Sequence, residues 1–448
     1  MTILDNSHLI SAQTGKLDHS LLSACIHCGL CLPACPTYMA TGRESESPRG
    51  RIYLLSLVEK GELPFAGEAA SHIESCLGCL GCQTACPSGV RYDEILNSAR
   101  PALKENRSPL LRFILRIGFN YILTNYFFLR LGGHLFHAWQ KLVKSIFPLS
   151  AKSSINHLVH PSNSFLVNRL RAYSAFIPPV PPQKEHPPIR RPDIERGPLH
   201  QLFSGCVMDV LYNHVNHACA DLLVMQGCPI ERRKQSCCGA LAFHAGEEDI
   251  ARRLAKENIE HFASSEGKIV VTSAGCGAML KEYGHLLKDD PAWHDRAAEF
   301  SKRIADVVEV VNPTQIEIPV KHSPAPSVAY HAACHLAHAQ GIRVDPQRIL
   351  AALKNKLVER GMGNHLQISE LQEAEHCCGS AGIYNVINTE LSMKVLARKM
   401  QNIEQTKAEV VVTTNPGCLL QLNAGAKLSG ADVQVMHLAE FVRRAYPD

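Results

Sequence analysis

The sequence predicts a mainly helical N-terminal domain followed by two repeated α/β units. Three observations support this fold class: two cysteine runs in the first 86 residues, a proline-rich segment at Ile177–Pro198, and an internal cysteine repeat beyond it. Hydrophobic residues make up 46% of the 448-residue chain, which allows two or three domains with separate cores. We expect a cysteine-run domain at 1–106, basic helices and a linker at 107–198, and repeat units at 199–320 and 321–448.

The two N-terminal cysteine runs share the spacing Cys-x2-Cys-x2-Cys-x3-Cys-Pro. This spacing is typical of bacterial ferredoxins with two [4Fe–4S] clusters, in which the fourth cysteine of each run binds the other cluster. Structural zinc could account for one Cys-x2-Cys pair but not for two matching runs, and nothing marks the chain for export and disulfide formation. The predicted ligands are Cys25, Cys28, Cys31 and Cys86 for the first cluster, and Cys76, Cys79, Cys82 and Cys35 for the second.

The next region, from Asn106 to Lys184, contains no acidic residue but many Arg, Lys and aromatic residues. This composition indicates basic amphipathic helices. The uncharged run Ile117–Leu129 is shorter than the about twenty residues that a spanning helix needs, so we do not expect it to cross a membrane. Residues 107–184 could lie on an anionic membrane surface, or they could be buried or face a partner protein.

The segment Ile177–Pro198 has eight prolines in twenty-two residues, which predicts an extended linker. Beyond it the chain reads as alternating strands and helices, with one pattern of cysteines occurring twice. The repeated positions are Cys206, Cys237, Cys238 and Cys276 in the first unit, and Cys334, Cys377, Cys378 and Cys418 in the second.

Each unit has a helical stretch, Asp249–Ser264 or Leu391–Gln405, followed by a β-branched strand that ends in Gly-Cys. Cys206 and Cys334 also follow short apolar strands. Ligand sites of α/β sheets lie at the carboxyl ends of strands, so the four cysteines of each unit are expected to converge. They could bind further iron–sulfur clusters, or they could be redox-active or structural thiols. Cys219 and Cys228 fall outside the pattern and are expected in the core.

The repeat resembles the cysteine-rich CCG domain of heterodisulfide reductase subunits, lactate-utilisation proteins, and the iron–sulfur subunits of glycolate oxidase and anaerobic glycerol-3-phosphate dehydrogenase. The segments Ser236–Leu241, Ser273–Ala278, His335–Gln340 and His376–Gly382 look most like glycolate oxidase. One departure is that Met279 and Gln421 stand where the heterodisulfide reductase version has a further cysteine. This difference argues against a disulfide-cleaving reaction.

The resemblance implies an electron-transfer subunit of a flavin-dependent dehydrogenase that oxidises glycolate to glyoxylate. FAD would be bound by a partner subunit, and electrons would pass through the clusters toward membrane quinone. The resemblance also implies a peripheral position on the cytoplasmic face of the inner membrane. Alternatives are an equivalent relay for D-lactate or glycerol-3-phosphate, a thiol–disulfide enzyme related to heterodisulfide reductase, or a binding module without electron transfer.

Composition agrees with a cytoplasmic protein that does not bind nucleic acid. The N-terminal residues Met1–Ile10 lack the basic and apolar regions of a signal peptide. The net charge of +4 is small, and no dense Lys/Arg cluster with interleaved aromatics occurs. Neither a G-x-G-x-x-G motif after a strand nor a P-loop motif is present, so we expect no nucleotide site of those kinds. Four histidines that flank the repeat cysteines could donate hydrogen bonds to cluster sulfurs: His331, His335, His338 and His376.

Overall fold

The computed structural model describes residues 17–146, 175–176, 178–181, 189–262, 267–316, 325–362 and 366–446. It confirms the predicted fold class, with short helices in the N-terminal region and two parallel sheets in the rest of the chain. The expected signal-free N-terminus and parts of the predicted basic region and linker lie outside the described residues. Within the described residues, no helix is both long and apolar enough to cross a membrane.

The N-terminal region packs its helices around one small core that includes Ile52, Leu55, Ile73 and Ile95. Several of these helices begin at proline or at a side-chain cap, as at Pro36, Pro48 and Pro109. The α-helices of this region are His19–Ser23, Pro36–Thr41, Pro48–Glu59, Gly67–Glu74, Gly81–Thr84, Tyr92–Glu105, Pro109–Ile117 and Tyr126–Ile146, with a 3₁₀ turn at Glu44–Glu46 and a π-helical turn at Gly118–Ile122.

The first repeat unit forms a five-stranded sheet in the order β1-β3-β2-β4-β5. All pairs are parallel except β1, which is antiparallel to β3 and comes from the proline-rich segment. The sequence had predicted this segment only as a linker. The strands are β1 Ile189–Arg190, β2 His200–Phe203, β3 Ile230–Arg232, β4 Ile269–Val271 and β5 Ile304–Asp306, and the helices are Cys206–Leu211, Asn213–Met225, Ala240–His244, Glu248–His261, Ala274–Lys281, Tyr283–Leu286, His294–Arg303 and Val307–Val310.

The second repeat unit has a four-stranded, fully parallel sheet in the order β7-β6-β8-β9, which matches β3-β2-β4-β5 of the first unit. Buried β-branched residues of β8 occupy the centre of this sheet. The strands are β6 Ser327–Tyr330, β7 Gln367–Ser369, β8 Val410–Thr413 and β9 Gln434–His437, and the helices are Asp345–Glu359, Tyr384–Ile387, Thr389–Thr406, Pro416–Ser429 and Leu438–Arg443, with a 3₁₀ turn at Pro313–Gln315 and a π-helical turn at His335–Ala339.

The helices and strands predicted next to the cysteines are found close to their expected positions. The stretches Asp249–Ser264 and Leu391–Gln405 correspond to Glu248–His261 and Thr389–Thr406, although Ala263 and Ser264 lie outside the described residues. Strands β4 and β8 each end four residues before the glycine of their Gly-Cys pair, which lies in the first turn of the following helix. Repeat cysteines therefore lie at the carboxyl edge of each parallel sheet.

Candidate metal centres

The two N-terminal cysteine runs adopt the same backbone turn. Each has positive φ at the residue before its second cysteine and at the residue after it: His27 and Gly29 in the first run, and Gly78 and Leu80 in the second. Left-handed residues on both sides of the second cysteine give each run a tight backbone turn. All eighteen cysteines of the chain are free thiols, as metal ligation requires.

Cys35, the last cysteine of the first run, lies close to the second run, where it lines a small pocket with Cys76, Cys79 and Cys82. The pKa of the Cys82 thiol is raised by burial and by the nearby sulfurs of Cys79, Cys76 and Cys35, in that order. Burial also raises the pKa of Cys79. Buried thiols that repel one another as anions need a cation to ionise, which fits a shared metal cluster. The quartet Cys35, Cys76, Cys79 and Cys82 is the predicted ligand set of the second cluster.

Polar groups surround this second quartet. The buried guanidinium of Arg51 lies 3.9 Å from Cys35 Sγ and donates a hydrogen bond of 2.7 Å to Glu46. Thr37 Oγ1 lies 3.2 Å from the same sulfur, and the Tyr92 hydroxyl donates to Cys76 Sγ at 3.6 Å. The Thr37 hydroxyl donates to the Glu46 carbonyl at 2.8 Å, so the donors at the sulfurs are the Arg51 guanidinium and the Tyr92 hydroxyl. These two groups stabilise the anionic form of a thiolate-bound cluster.

The first predicted cluster lies nearer the protein surface. Cys28 is exposed, and Cys25, Cys31 and Cys86 are partly buried against the N-terminal core. The pKa of Cys31 is raised by burial, with smaller contributions from Cys25 and Cys35. The assignment of these four residues to one cluster stays a prediction.

The four cysteines of the first repeat come together at the sheet edge. Cys206 Sγ lies 3.6 Å from Cys237 Sγ, and the thiols of Cys206 and Cys238 both hydrogen-bond to Cys237. These bonds lower the pKa of Cys237, while the pKa values of the two donors are raised. Cys276 is adjacent to Cys238. Cys237 is thus the thiol of this quartet that ionises most readily, and metal binding would release the protons of the other three.

The second repeat forms an equivalent quartet. Sulfur contacts run from Cys334 to Cys377, then to Cys378 and to Cys418. A hydrogen bond to Cys377, burial and mutual repulsion raise the pKa of Cys334. The hydrogen bond from the preceding cysteine lowers the pKa of Cys377 and of Cys378, but the bond to the next cysteine, burial and repulsion outweigh it and the pKa of each is raised. Lys399, itself buried, is the nearby cation; its Nζ donates to the carbonyl of Glu373, and burial lowers its pKa to about 8.

Both repeat quartets line a single cavity of about 560 Å³, which Cys76 of the N-terminal region also reaches. Hydrogen bonds join the two repeats at this point: the Ala274 N–H donates to the Thr414 carbonyl at 3.0 Å, and the Gly275 N–H donates to Asn415 Oδ1 at 3.0 Å. The sequence predicted convergence within each unit, but it gave no signal that the two quartets face one cavity.

The residues that stand in place of the missing cysteines have structural roles. Met279 is buried in the core of the first unit. Gln421 is fully buried; its Nε2 donates to Ser392 Oγ at 3.0 Å and its Oε1 accepts from Asn385 at 3.2 Å. Because both ends of the Gln421 amide are already hydrogen-bonded, this side chain is not a fifth ligand.

The four flanking histidines differ in their contacts. His335 Nε2 lies 3.3 Å from the Gly78 carbonyl, and His338 lies 3.1 Å from Thr84. His376 pairs with Glu373 at 3.4 Å. His331 differs from the other three because it lies beside Cys378 and Cys418. The cysteines outside the pattern, Cys219 and Cys228, lie in or against the apolar core, as predicted.

Comparison with known families matches residues 21–90 to a 4Fe-4S dicluster domain, and residues 200–281 and 328–423 to a cysteine-rich domain. The chain is 35% identical over 445 residues to the probable glycolate oxidase iron–sulfur subunit of Bacillus subtilis (strain 168), covering 96% of this chain and 95% of that protein. It is 30% identical over 434 residues to the glycolate oxidase iron–sulfur subunit of Escherichia coli (strain K12), covering 95% and 94%. Lactate utilization protein A of Bacillus subtilis (strain 168) is 32% identical over 243 residues, which are 53% of this chain and 96% of that protein.

Proposed function

The chain belongs to the family of glycolate oxidase iron–sulfur subunits, and we propose that it is the electron-relay subunit of a glycolate dehydrogenase complex. In this proposal a separate subunit carrying FAD oxidises glycolate to glyoxylate. The present chain receives the electrons and passes them toward membrane quinone. Iron–sulfur clusters carry single electrons, whereas oxidation of an alcohol needs a two-electron cofactor such as flavin.

The observation that carries the proposal is the contact between the N-terminal region and the second repeat. Among the neighbouring sulfurs that raise the pKa of the Cys79 thiol, that of Cys334 has the largest effect. The sulfur of Cys79 in turn raises the pKa of Cys377. Leu77 and Tyr384 pack in the same apolar cluster, and the Tyr384 hydroxyl donates to the Ser75 carbonyl at 2.8 Å. Adjacent metal sites held by a rigid contact are suited to electron transfer from one to the next.

Purification of the native complex in mild detergent tests this function. We expect flavin subunits to co-elute and the eluate to reduce an artificial acceptor with glycolate. A matched preparation of the Cys79→Ala variant should keep the flavin subunit but lose electron transfer past it. A flavin-free chain that is inactive with glycolate, D-lactate and glycerol-3-phosphate would contradict the proposal.

A relay for D-lactate is the second candidate, because the chain is also similar to lactate utilization protein A over about half its length. Parallel assays with the three substrates distinguish these relays. Thiol–disulfide chemistry is less well supported, since Met279 is part of the core and both ends of the Gln421 amide are hydrogen-bonded.

We also propose that the helices after residue 107 rest on the cytoplasmic face of an anionic membrane. Helix Pro109–Ile117 buries none of its residues, and Leu110, Phe113, Ile114 and Ile117 form an exposed apolar face at helical spacing. The surrounding sequence is free of acidic residues from Asn106 to Lys184. An apolar face in basic surroundings is typical of helices that lie in the headgroup layer.

Sedimentation with phospholipid vesicles tests the membrane contact. We expect the Ile114→Asp substitution to weaken binding to vesicles with anionic lipid by about tenfold or more, because it places a charge in the apolar face. Val358→Asp is the matched control, since Val358 is exposed to a similar extent on a helix of the second repeat. Equal binding by both variants would contradict membrane contact and favour a protein partner for this face.

A further inference from the structure

His331 is a fully buried histidine without a hydrogen-bond partner. Its side chain is 0% exposed, and neither ring nitrogen makes a hydrogen bond. The carbonyl of Ala374 lies near the ring and also accepts a hydrogen bond of 3.2 Å from the Ala332 N–H, so it is an acceptor within reach of one ring nitrogen and leaves the other without a partner. A buried polar group without a partner is costly, so such a group usually has a ligand that completes its surroundings.

Two repeat cysteines lie close enough to His331 to bind a metal ion together with it. A ring nitrogen of His331 and the Sγ atoms of Cys378 and Cys418 all lie within 4.8 Å of one another, and all three residues are buried. Two ligand atoms bound to one metal at about 2.0–2.3 Å are at most about 4.6 Å apart, so atoms that all lie within 4.8 Å of one another are close enough to share a metal after a small adjustment. The three groups are therefore candidates for ligands of one metal atom.

We propose that His331, Cys378 and Cys418 bind one metal atom, so that the second repeat holds a centre of mixed histidine and cysteine ligation. Imidazole and thiolate together favour iron or zinc. This inference rests on metal binding by the second repeat and is independent of which substrate the complex oxidises. The ring nitrogen that faces away from the metal would donate to a nearby backbone carbonyl, the usual arrangement for a metal-bound histidine, and Ala374 supplies one.

The first repeat lacks this arrangement, although its cysteines are placed in the same way. Phe203 precedes Cys206 of the first repeat at the same spacing at which His331 precedes Cys334 of the second, so Phe203 stands at the position of His331. The glycines of the two Cys-Cys-Gly turns contact equivalent helix residues, Ala251 in the first repeat and Ser392 in the second. At the spacing at which Lys399 follows Ser392, the residue that follows Ala251 is Asn258.

The second repeat therefore adds a nitrogen ligand and a buried ammonium group. The ammonium offsets the negative charge of two thiolates, whereas the first repeat has neither group. The two centres should consequently differ in composition and in reduction potential.

Metal analysis and Mössbauer spectroscopy of the anaerobic full-length protein, enriched in ⁵⁷Fe, test the proposal. The key variants are His331→Leu and His331→Cys, and the matched control is His437→Leu, which removes another fully buried histidine of the second repeat, one whose ring nitrogens contact the Thr272 carbonyl and the Ala439 N–H. Metal counting separates the two candidate metals: a zinc centre loses one zinc per chain in His331→Leu, whereas an iron centre loses iron or one distinct quadrupole doublet.

We expect His331→Leu to lose the centre and His331→Cys to retain the metal with a changed spectrum. His437→Leu should keep both the wild-type metal content and the wild-type spectrum. Unchanged metal content and spectra in both His331 variants would overturn the proposal. Wild-type metal content in Cys418→Ala would also overturn it, because the second repeat would then hold no metal at Cys418. Glycolate oxidation by the complex is a separate measurement, so its failure would not be confused with these results.

Discussion

Buried charged side chains accompany the cysteine sulfurs at several places. Arg51 lies beside Cys35, and Lys399 lies near Cys378 and Cys418. Arg100 is partly buried near Cys76, and burial lowers its pKa to about 10. Charged groups are almost never buried without a counter-charge, and a cluster bound by four thiolates supplies one. Glu46 is already a counter-charge for Arg51, and we infer that all three side chains also help to balance the negative charge of thiolates in the predicted metal sites.

Asp306 is a buried carboxyl group away from the cysteine sites. Its Oδ1 accepts from the Val308 N–H at 3.1 Å, whereas its Oδ2 has no hydrogen-bond partner. Burial raises its pKa from 3.8 to about 7, and the nearby Glu309 adds to this rise while Lys281 opposes it. The folded state therefore holds the Asp306 proton more tightly than the unfolded state does. The stability associated with this group is fully present below about pH 4 and is lost as the pH rises to about 7.

We expect wild-type protein to become more stable by on the order of 1 kcal/mol when the pH falls from 8 to 6. Asp306→Asn should remove this contribution, since Asn keeps the helix cap without an ionisable group. Anaerobic urea unfolding at the two pH values measures the difference. The same pH dependence in both proteins would show that Asp306 is not the titrating group.

At the scale of secondary structure, the Cys-Cys-Gly turns hold the repeat cysteines against the following helices. Gly239 and Gly379 both have positive φ, at +83° and +93°. A Cβ on Gly379 would lie 2.6 Å from the Ser392 carbonyl oxygen, whereas on Gly239 its nearest neighbour would be the Ala251 Cα at 3.3 Å. The second turn is therefore packed more tightly against its helix than the first.

Replacement of these glycines by alanine should affect the two repeats unequally. Both variants incur about 1–2 kcal/mol of left-handed backbone strain, but Gly379→Ala also forces a backbone clash. We expect Gly379→Ala to lower the apparent melting temperature and the metal content of the second repeat more than Gly239→Ala affects the first. Equal losses would mean that the helix contact does not hold the turn in place.

The elements that carry the cysteines could be predicted because their signals are local. The β-branched runs before Cys276 and Cys418 indicate buried strands, and the Gly-Cys pairs mark the helices that follow. The edge strand Ile189–Arg190 could not be predicted, because two residues carry no strand periodicity and proline dominates their surroundings. For the region after residue 107, the sequence predicts helices from the pattern of basic and aromatic residues. Beyond Ile146, the end of helix Tyr126–Ile146, this region includes residues that the structure does not describe.

At the scale of the whole molecule, packing between regions carries information that the repeat pattern lacks. The N-terminal region contacts both repeats: Lys104 pairs with Glu247 of the first at 2.9 Å, and Tyr384 of the second donates to Ser75. The shared cavity depends on such long-range contacts, for which spacing within one unit gives no signal. The unpartnered state of His331 likewise becomes visible only when strand, turn and helix are assembled.

The contact between Cys79 and the second repeat predicts magnetic coupling between two metal centres. With a paramagnetic iron centre in the second repeat, the cluster expected at Cys35, Cys76, Cys79 and Cys82 should show electron paramagnetic resonance lines broadened by that centre in fully reduced protein. The other N-terminal cluster broadens the same lines in every variant, so the contribution of the second repeat is measured as the difference between variant and wild type.

Cys334→Ala, which alters the second repeat where it faces Cys79, should remove this broadening while the N-terminal signal itself remains. Cys206→Ala is the control, because it makes the corresponding change in the first repeat, and its broadening should persist. The reverse result, with broadening lost only in Cys206→Ala, would mean that electrons leave the N-terminal clusters through the first repeat and that the relay runs in a different order.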